Sequence, residues 1–450
     1  MYVTVREQVP GAAAPAERET PRLHVWGRLA VPIVARNVLF LGLTSLFTDI
    51  SSEMVAAILP LYLVLFLGLS PLQFGLVDGM YQGFAAIVRV ASGYVADRWQ
   101  RHKEIALAGY GLSAICKLGV LAVGSAWMGL AGIVLVDRTG KGIRTSPRDA
   151  MISLSTAPAG LATAFGVHRA LDTLGAMLGP IVAFALLARL PDAFDAVFVV
   201  SFLFAVIGLG ILALVVDGRK AAQVAPGERA PLPSRAVSLR AAAGLLRSPT
   251  FRALTVAGTI LGLVTVSDGF LYLVLQRRLA LNTGYFPLLY VGTSLTYFLL
   301  AIPIGRLADR LGRGRVFLAG YSLLLPVTLC LLLPQPGFVL LAAVLILFGA
   351  YYAATDGVLM ASASAILSPE LRTTGIGLLT TFTTLARLFA SIAFGALWTA
   401  RSMEAAVFVF AGGLLVALVV AAAVLARAGQ LAPAAALPRI ATDGLFDHDD

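Results

Sequence analysis

Charge is scarce in this sequence. Only 13% of its 450 residues are Asp, Glu, Lys or Arg, and 59% are hydrophobic, against about 25% and about 45–50% in an ordinary soluble domain. Such a chain has too little polar surface to cover itself in water, which excludes a set of soluble domains. Cysteine is nearly absent. Its two thiols, Cys116 and Cys330, fall within apolar stretches, where they read as small packing groups and exclude a disulfide framework. No metal-ligand spacing occurs, nor any set of nucleophile, base and orienting acid, so no metal, cofactor or enzymatic centre is expected. Also missing are the ~10-residue alternating segments of a membrane barrel. Residues 1–35 lack the continuous apolar stretch and small-residue cleavage site of a secretory leader, so the first span is expected to remain as an anchor.

What the chain does contain is a series of continuous apolar runs of about 20 residues, the length that crosses a ~30 Å hydrocarbon layer as a helix. They place spans near 37–67, 72–96, 104–124, 127–155, 160–189 and 194–216, and again near 251–276, 284–307, 316–333, 337–366, 373–399 and 403–427. The expectation is an all-α polytopic membrane protein with twelve transmembrane helices. Residues 36–216 and 251–427 form its two six-helix bundles. Residues 217–250, with Pro226, Pro231, Pro233 and Pro249 among Arg, Ala and Ser, read as a polar cytoplasmic linker. Residues 1–35 and 428–450 read as disordered tails, the latter ending in Asp447, His448, Asp449 and Asp450.

The net charge of +10 sits in short loops rather than on a soluble face, so topology and not nucleic acid is its meaning. With the N-terminus inside, the inner segments hold Arg98, Arg101, Lys103, Arg219, Lys220, Arg229, Arg235, Arg240, Arg247, Arg306, Arg310, Arg313 and Arg315. The outer loops hold Arg189, Arg277, Arg278 and Arg401. Basic residues favour the cytoplasmic side, so both termini are expected there. Arg outnumbering Lys, with abundant Ala, points to a GC-rich bacterial source and hence the inner membrane.

Repetition organises the chain. The segment after span two reads GYVADRWQRHK from Gly93 to Lys103, and the one after span eight reads GRLADRLGRGR from Gly305 to Arg315. Leu41-Gly42-Leu43 precedes Asp49 in span one, as Leu261-Gly262-Leu263 precedes Asp268 in span seven. Matched features at matched places in two hydrophobic layouts indicate internal duplication.

These paired loops resemble the signature of the major facilitator superfamily: Gly, three residues, Asp-Arg, then Gly and basic residues between spans two and three. The second copy matches through Gly305, Asp309, Arg310, Gly312, Arg313 and Arg315. The first matches through Gly93, Asp97, Arg98 and Arg101, with Gln100 where the family has its second Gly. Arg138 followed by Gly142 resembles the family's Arg-x3-Gly pattern in span four, and Gly179-Pro180 resembles a motif of its exporters. The resemblance implies two pseudo-symmetric bundles rocking about a central site lined by the first and fourth helices of each half. It also implies a gating role for the loop motifs, whose carboxylates can favour a neighbouring helix N-terminus while their arginines bind carboxylates or lipid phosphate.

Ionisable residues inside spans cost at least ~2.5 kcal/mol each on insertion scales, so they mark pairs, cavities or functions. Span one carries Asp49 and Glu53 on one helical face. Span four reads DRTGKGIRTSPRDA from Asp137, with Arg138, Lys141 and Arg148 along one stripe and Arg144 at its edge. The acidic pair is expected to face this basic stripe. It can bind a carboxylate or phosphate ester, or be neutralised by Asp49, Glu53, Asp137 and Asp149. Gly140, Gly142 and Pro147 suggest a bent or closely packed span rather than a nucleotide loop, which rules against an ATPase. The second half adds Asp268, Tyr351, Tyr352, Asp356 and Arg387, and span five adds His168, Arg169 and Asp172. His168 reads as a hydrogen-bonded packing residue. Asp49, Glu53 and Asp268 are the candidate proton carriers, and Arg138, Lys141, Arg144, Arg148, Tyr352, Asp356 and Arg387 the candidate cavity residues. The expectation is a monomeric secondary transporter in contact with lipid. It would couple protons to efflux of a small organic solute, with uptake of an anionic solute as the alternative and a non-transporting receptor as the rival.

Overall fold

The computed structural model describes residues 35–99, 101–124, 126–156, 161–217, 244–333, 337–367 and 372–431. The tails over 1–34 and 432–450 and most of the linker, 218–243, lie outside these. Among the described residues the fold is helical throughout, without strands. In the first half, α1 (Arg36–Leu61) passes into a π-helical turn (Tyr62–Phe66), followed by α2 (Pro71–Trp99), α3 (His102–Val123), α4 (Trp127–Leu154), α5 (Leu161–Arg189) and α6 (Phe194–Leu214). The second half comprises α7 (Pro249–Leu263), α8 (Asp268–Leu279), α9 (Pro287–Leu311), α10 (Arg313–Ser322), α11 (Leu324–Cys330), α12 (Phe338–Ile366), α13 (Arg372–Ala400) and α14 (Met403–Arg427). Pairing α7 with α8 and α10 with α11 gives twelve spans.

Two spans expected to be continuous are broken, for identifiable reasons. Span seven stops at Leu263 and restarts at Asp268, where the Ser267 hydroxyl accepts from the Phe270 amide at 3.4 Å and caps the new helix. Span nine breaks at Leu323, three residues before Pro326, which has no amide proton to continue the ladder. Nine helices among the described residues are long and apolar enough to cross a membrane, α7 and α8 being taken together. The spans outside that set are α2, the charge-laden α4 and the α10–α11 pair.

The repeated motifs are not loops, as the sequence reading had them. Gly93–Trp99 is the end of α2 and Gly305–Leu311 the end of α9, because neither segment contains a residue that stops a helix. The turn comes at Gly312, whose φ of 103° disfavours an L side chain.

Close helix approach rests on small residues. A Cβ on Gly179 would lie 2.8 Å from both Glu53 Cβ and the Ile50 carbonyl, so α5 can lie against α1 only with glycine there. Gly140 meets α3 at Ser113 and Gly109, and Gly142 meets α2 at Val88, so α4 is wedged between two neighbours. Contacts between the two halves concentrate at one end. There Gly75, Gly79 and Gly83 of α2 lie against Ser391, Leu388 and Thr384 of α13, and the Leu72 amide donates to Thr399 Oγ1 at 2.9 Å. Phe184 of α5 stacks on Tyr285 at 5.9 Å, and Phe74 packs edge-on to Phe270 at 4.8 Å.

Candidate functional site

The first half builds a layered set of charges between α1, α3, α4 and α5. In the deepest layer Asp137 accepts from Lys117 Nζ at 3.0 Å through Oδ1 and from the Arg138 guanidinium through Oδ2. All three side chains are buried. Arg138 also stacks on the Tyr81 ring, 3.7 Å from its centroid. Two cations and one carboxylate, with an aromatic face for the second cation, make a nearly closed cluster. Lys117 was not singled out in the sequence, where a lysine on a helix face reads as a solvated or snorkelling residue.

Nearly two turns along α4, Arg144 is 4% exposed and pairs with Asp49 of α1 at 3.9 Å. It lies 4.6 Å from the centre of the Tyr110 ring. This loose pair is the one ion pair between span one and the basic stripe among the described residues. One terminal nitrogen of Arg144 and the Tyr110 hydroxyl are buried without a hydrogen-bond partner. Lys141 and Glu53 are within electrostatic range of each other, and Lys141 also of Asp49. The Asp49 carboxylate also lies within interaction range of that of Asp172 on α5.

In the outermost layer, Arg148 donates to Asp149 at 2.9 Å and to the Ser45 hydroxyl at 3.3 Å, and lies 3.8 Å from Asp172. Ser45 also hydrogen-bonds His168 Nε2 at 2.9 Å, so the histidine is a partnered packing residue. Arg138 and Arg148 thus have carboxylates in close contact, whereas Arg144 has donor capacity to spare.

The second half contributes two adjacent pairs. Asp268 is the first residue of α8, and the Tyr352 hydroxyl of α12 donates to its carboxylate. Arg387 of α13 donates to the Tyr351 hydroxyl at 3.2 Å and lies 3.6 Å from Asp356. The Tyr351 and Tyr352 rings are 5.0 Å apart, so these candidates meet as one cluster.

The motif residues tie helix ends together. Arg313 donates to Asp309 at 2.8 Å and to the Ala361 carbonyl, near the end of α12, at 2.9 Å. In the first copy Lys103 donates to the carbonyls of Ala213 and Val216, at the end of α6. A cation at a helix C-terminus is favoured by the helix dipole. The side chains of Asp97 and Arg98, and the surroundings of Gly93, lie outside the described residues, while Arg101 is exposed.

A carboxylate outside the candidate set also appears. Asp78 of α2 is buried, and Ser391 of α13 donates to it at 2.7 Å. Its sequence signal was present, an acid inside the run Phe74–Tyr81, but nothing near it in sequence marks its partner.

Comparison with known proteins places this arrangement. A family model described as Major Facilitator Superfamily matches residues 41–292 and 269–440. The chain is 32% identical over 375 residues to an uncharacterized MFS-type transporter of Methanocaldococcus jannaschii, spanning 81% of this chain and 89% of the relative. Among solved structures, a variant of the nucleoside transporter NupG superposes with a TM-score of 0.73 at 16% identity, over 86% of this chain and 99% of that one. A variant of the peptide transporter POT superposes with a TM-score of 0.72 at 14% identity, over 88% and 96%. At these identities the two structures speak for the fold alone.

Proposed function

The chain belongs to the major facilitator superfamily and is a multi-pass membrane transporter, and from that premise we propose that it couples proton movement to the passage of a small organic solute by alternating access. Residues 36–216 and 251–427 act as the two rocking bundles, joined by 217–250. The solute site lies between α1, α4, the α7–α8 break and α12. Asp49, Glu53 and Asp268 carry the protons.

The observation that carries this reading is the position of Asp49 between Arg144 and Asp172. Neighbouring like charges oppose one another, so Asp49 beside Asp172 is placed to take up a proton. Arg144 at 3.9 Å favours the ionised form of the same group. Asp49 therefore has two alternative partners, and a solute that draws on either one changes whether the proton stays. Export by proton antiport is the direction we assign: an incoming proton and an outgoing solute compete for the same carboxylates.

A second reading, uptake of an anionic solute, draws support from the unpaired nitrogen of Arg144 and the neighbouring Lys141. An anion bound there would displace Asp49 and leave it to take a proton.

The membrane is the bacterial cytoplasmic membrane, with the end bearing Arg101, Lys103, Arg252, Arg306, Arg310, Arg313 and Arg315 toward the cytoplasm. The closed end, bearing Arg189, Arg277, Arg278 and Arg401, then faces outward. The protein works as a monomer among lipids, and Asp309 and Arg313 serve its gate.

Purified protein in liposomes with an internal pH dye tests this. Solutes of either charge are added to wild type, Asp49→Asn, Asp268→Asn and Arg144→Gln. Proton flux evoked by cations and lost in Asp49→Asn supports antiport. Flux evoked by anions and lost in Arg144→Gln supports the second reading. Binding without proton flux in wild type refutes both.

A further inference from the structure

Asp78 stands apart from every group used so far, and its surroundings come from both halves of the molecule. Its carboxylate is on α2, is 8% exposed, and accepts from Ser391 of α13 at 2.7 Å. The side chains of Ser267, at the cap of α8, and of Gln82 lie near enough to interact with it. A Cβ built on Gly269 would lie 3.4 Å from Asp78 Oδ1, so the first turn of α8 abuts the carboxylate. Gly269 follows Asp268 directly. Two acidic residues, one from each half, thus meet at the break in span seven and interact electrostatically.

The titratable groups facing Asp78 are Asp268 from α8 and Tyr290 from α9. Its own helix contributes Tyr81 one turn on, which is stacked with Arg138. From α13, Arg387 lies one turn before Ser391 and is engaged by Tyr351 and Asp356. No cation forms an ion pair with Asp78 among the described residues. It is instead held by the Ser391 hydroxyl beside the positive end of α8.

We propose that Asp78 is a positioning residue that links the proton on Asp268 to closure of the outer end, by holding α2 to α13 through Ser391 only while its carboxylate is ionised. A hydrogen bond to a charged acceptor is about twice as strong as to a neutral one, so protonation of Asp78 loosens the contact beside Gly75, Gly79 and Gly83. Loss of the Asp268 charge makes ionisation of Asp78 easier, because like charges oppose one another. At a given pH, loss of the Asp268 charge therefore favours a closed outer end, whereas protonation of Asp78 itself opens it. The inference rests on the reading of Asp268 as a proton carrier.

The test needs no solute. In a chain carrying Cys116→Ala and Cys330→Ala, cysteines replace Leu72 and Thr399, and their oxidative cross-linking rate in liposomes, divided at each pH by that of a cysteine pair placed within one helix to remove the effect of thiolate ionisation, reports closure. The normalised rate is expected to fall by about tenfold as acidification protonates Asp78. Asp78→Asn should show a low, flat profile, Asp78→Glu should restore the pH response, and Asp268→Asn should move its midpoint to lower pH. Ser391→Ala, which leaves the carboxylate in place, should also lower the rate at about pH 8. It carries the test if Asp78→Asn does not fold. A wild-type pH response that survives in both Asp78→Asn and Ser391→Ala overturns the inference, as does a flat wild-type profile. A wild type that cross-links as expected but moves no protons with any solute would instead defeat the proposed function, so the two failures are distinct.

Discussion

The Tyr352 hydroxyl donates its hydrogen bond to the Asp268 carboxylate, joining α12 to the first turn of α8. The two residues are 84 positions apart, and the bond exists because span seven is interrupted there. An unbroken helix would carry Asp268 as one more side chain on its flank, whereas the break makes it the leading residue of a new helix.

Tyr352→Phe should therefore lower stability by about 1–2 kcal/mol, the range for a hydrogen bond to a charged group inside a membrane bundle. Thermal unfolding in detergent measures this. In liposomes the same variant should keep a reduced proton flux, while Asp268→Asn should lose it, since only the latter removes the titrating group.

Asp137 pairs with both Lys117 and Arg138, so its removal leaves two buried cations without the carboxylate they share. Asp137→Asn is expected to cost about 3–5 kcal/mol and to reduce folded protein in the membrane. Lys117→Met should be milder, because Arg138 still pairs with the acid. The double variant should cost less than the sum of the two, as expected for residues in one network.

Gly79 faces the Leu388 carbonyl, and a Cβ there would approach it to 2.8 Å. Gly79→Val should wedge α2 from α13, at a cost of about 1–3 kcal/mol, enough to deplete the closed state by about tenfold. The cross-link between positions 72 and 399 reads this directly. Gly210→Ala, where no atom lies within 4 Å of the added carbon, should leave the cross-link unchanged.

Arg313 bridges Asp309, which is mostly exposed, and the Ala361 carbonyl. Exposed ion pairs contribute at most about 1 kcal/mol, so Arg313→Met should barely change the unfolding temperature. If the bridge serves the gate, transport at saturating solute should still drop while the KM stays near the wild-type value. An equal loss in Arg313→Met and in a stability-matched surface variant would count against that role.

The apolar periods of the sequence located all twelve spans, because a hydrocarbon layer imposes length and composition on any helix that crosses it. The breaks at Val264–Ser267 and Leu323 were not legible from hydropathy. Val, Thr and Leu around them are as apolar as their neighbours, and the interruption depends on capping by Ser267 and on a missing amide at Pro326. The repeated motif was visible as composition but was read as loop, since charge and glycine suggest turns until packing shows the helix running on to Trp99 and Leu311.

Residue type and spacing alone determined that this chain crosses the membrane, that its halves share a repeated plan and that acids and bases lie within its spans. Each of those facts follows from local chemistry: the solvent selects the apolar run, and a charge within it is costly wherever it points. The choice of partner was decided by the tertiary fold. Asp137 takes Lys117 from α3, Asp49 is shared between α4 and α5, and Asp78 reaches across to Ser391, 313 positions away. Pairing depends on which helix faces lie together, and those faces are set by glycines whose contacts come from other helices, so no single stretch of sequence contains the information.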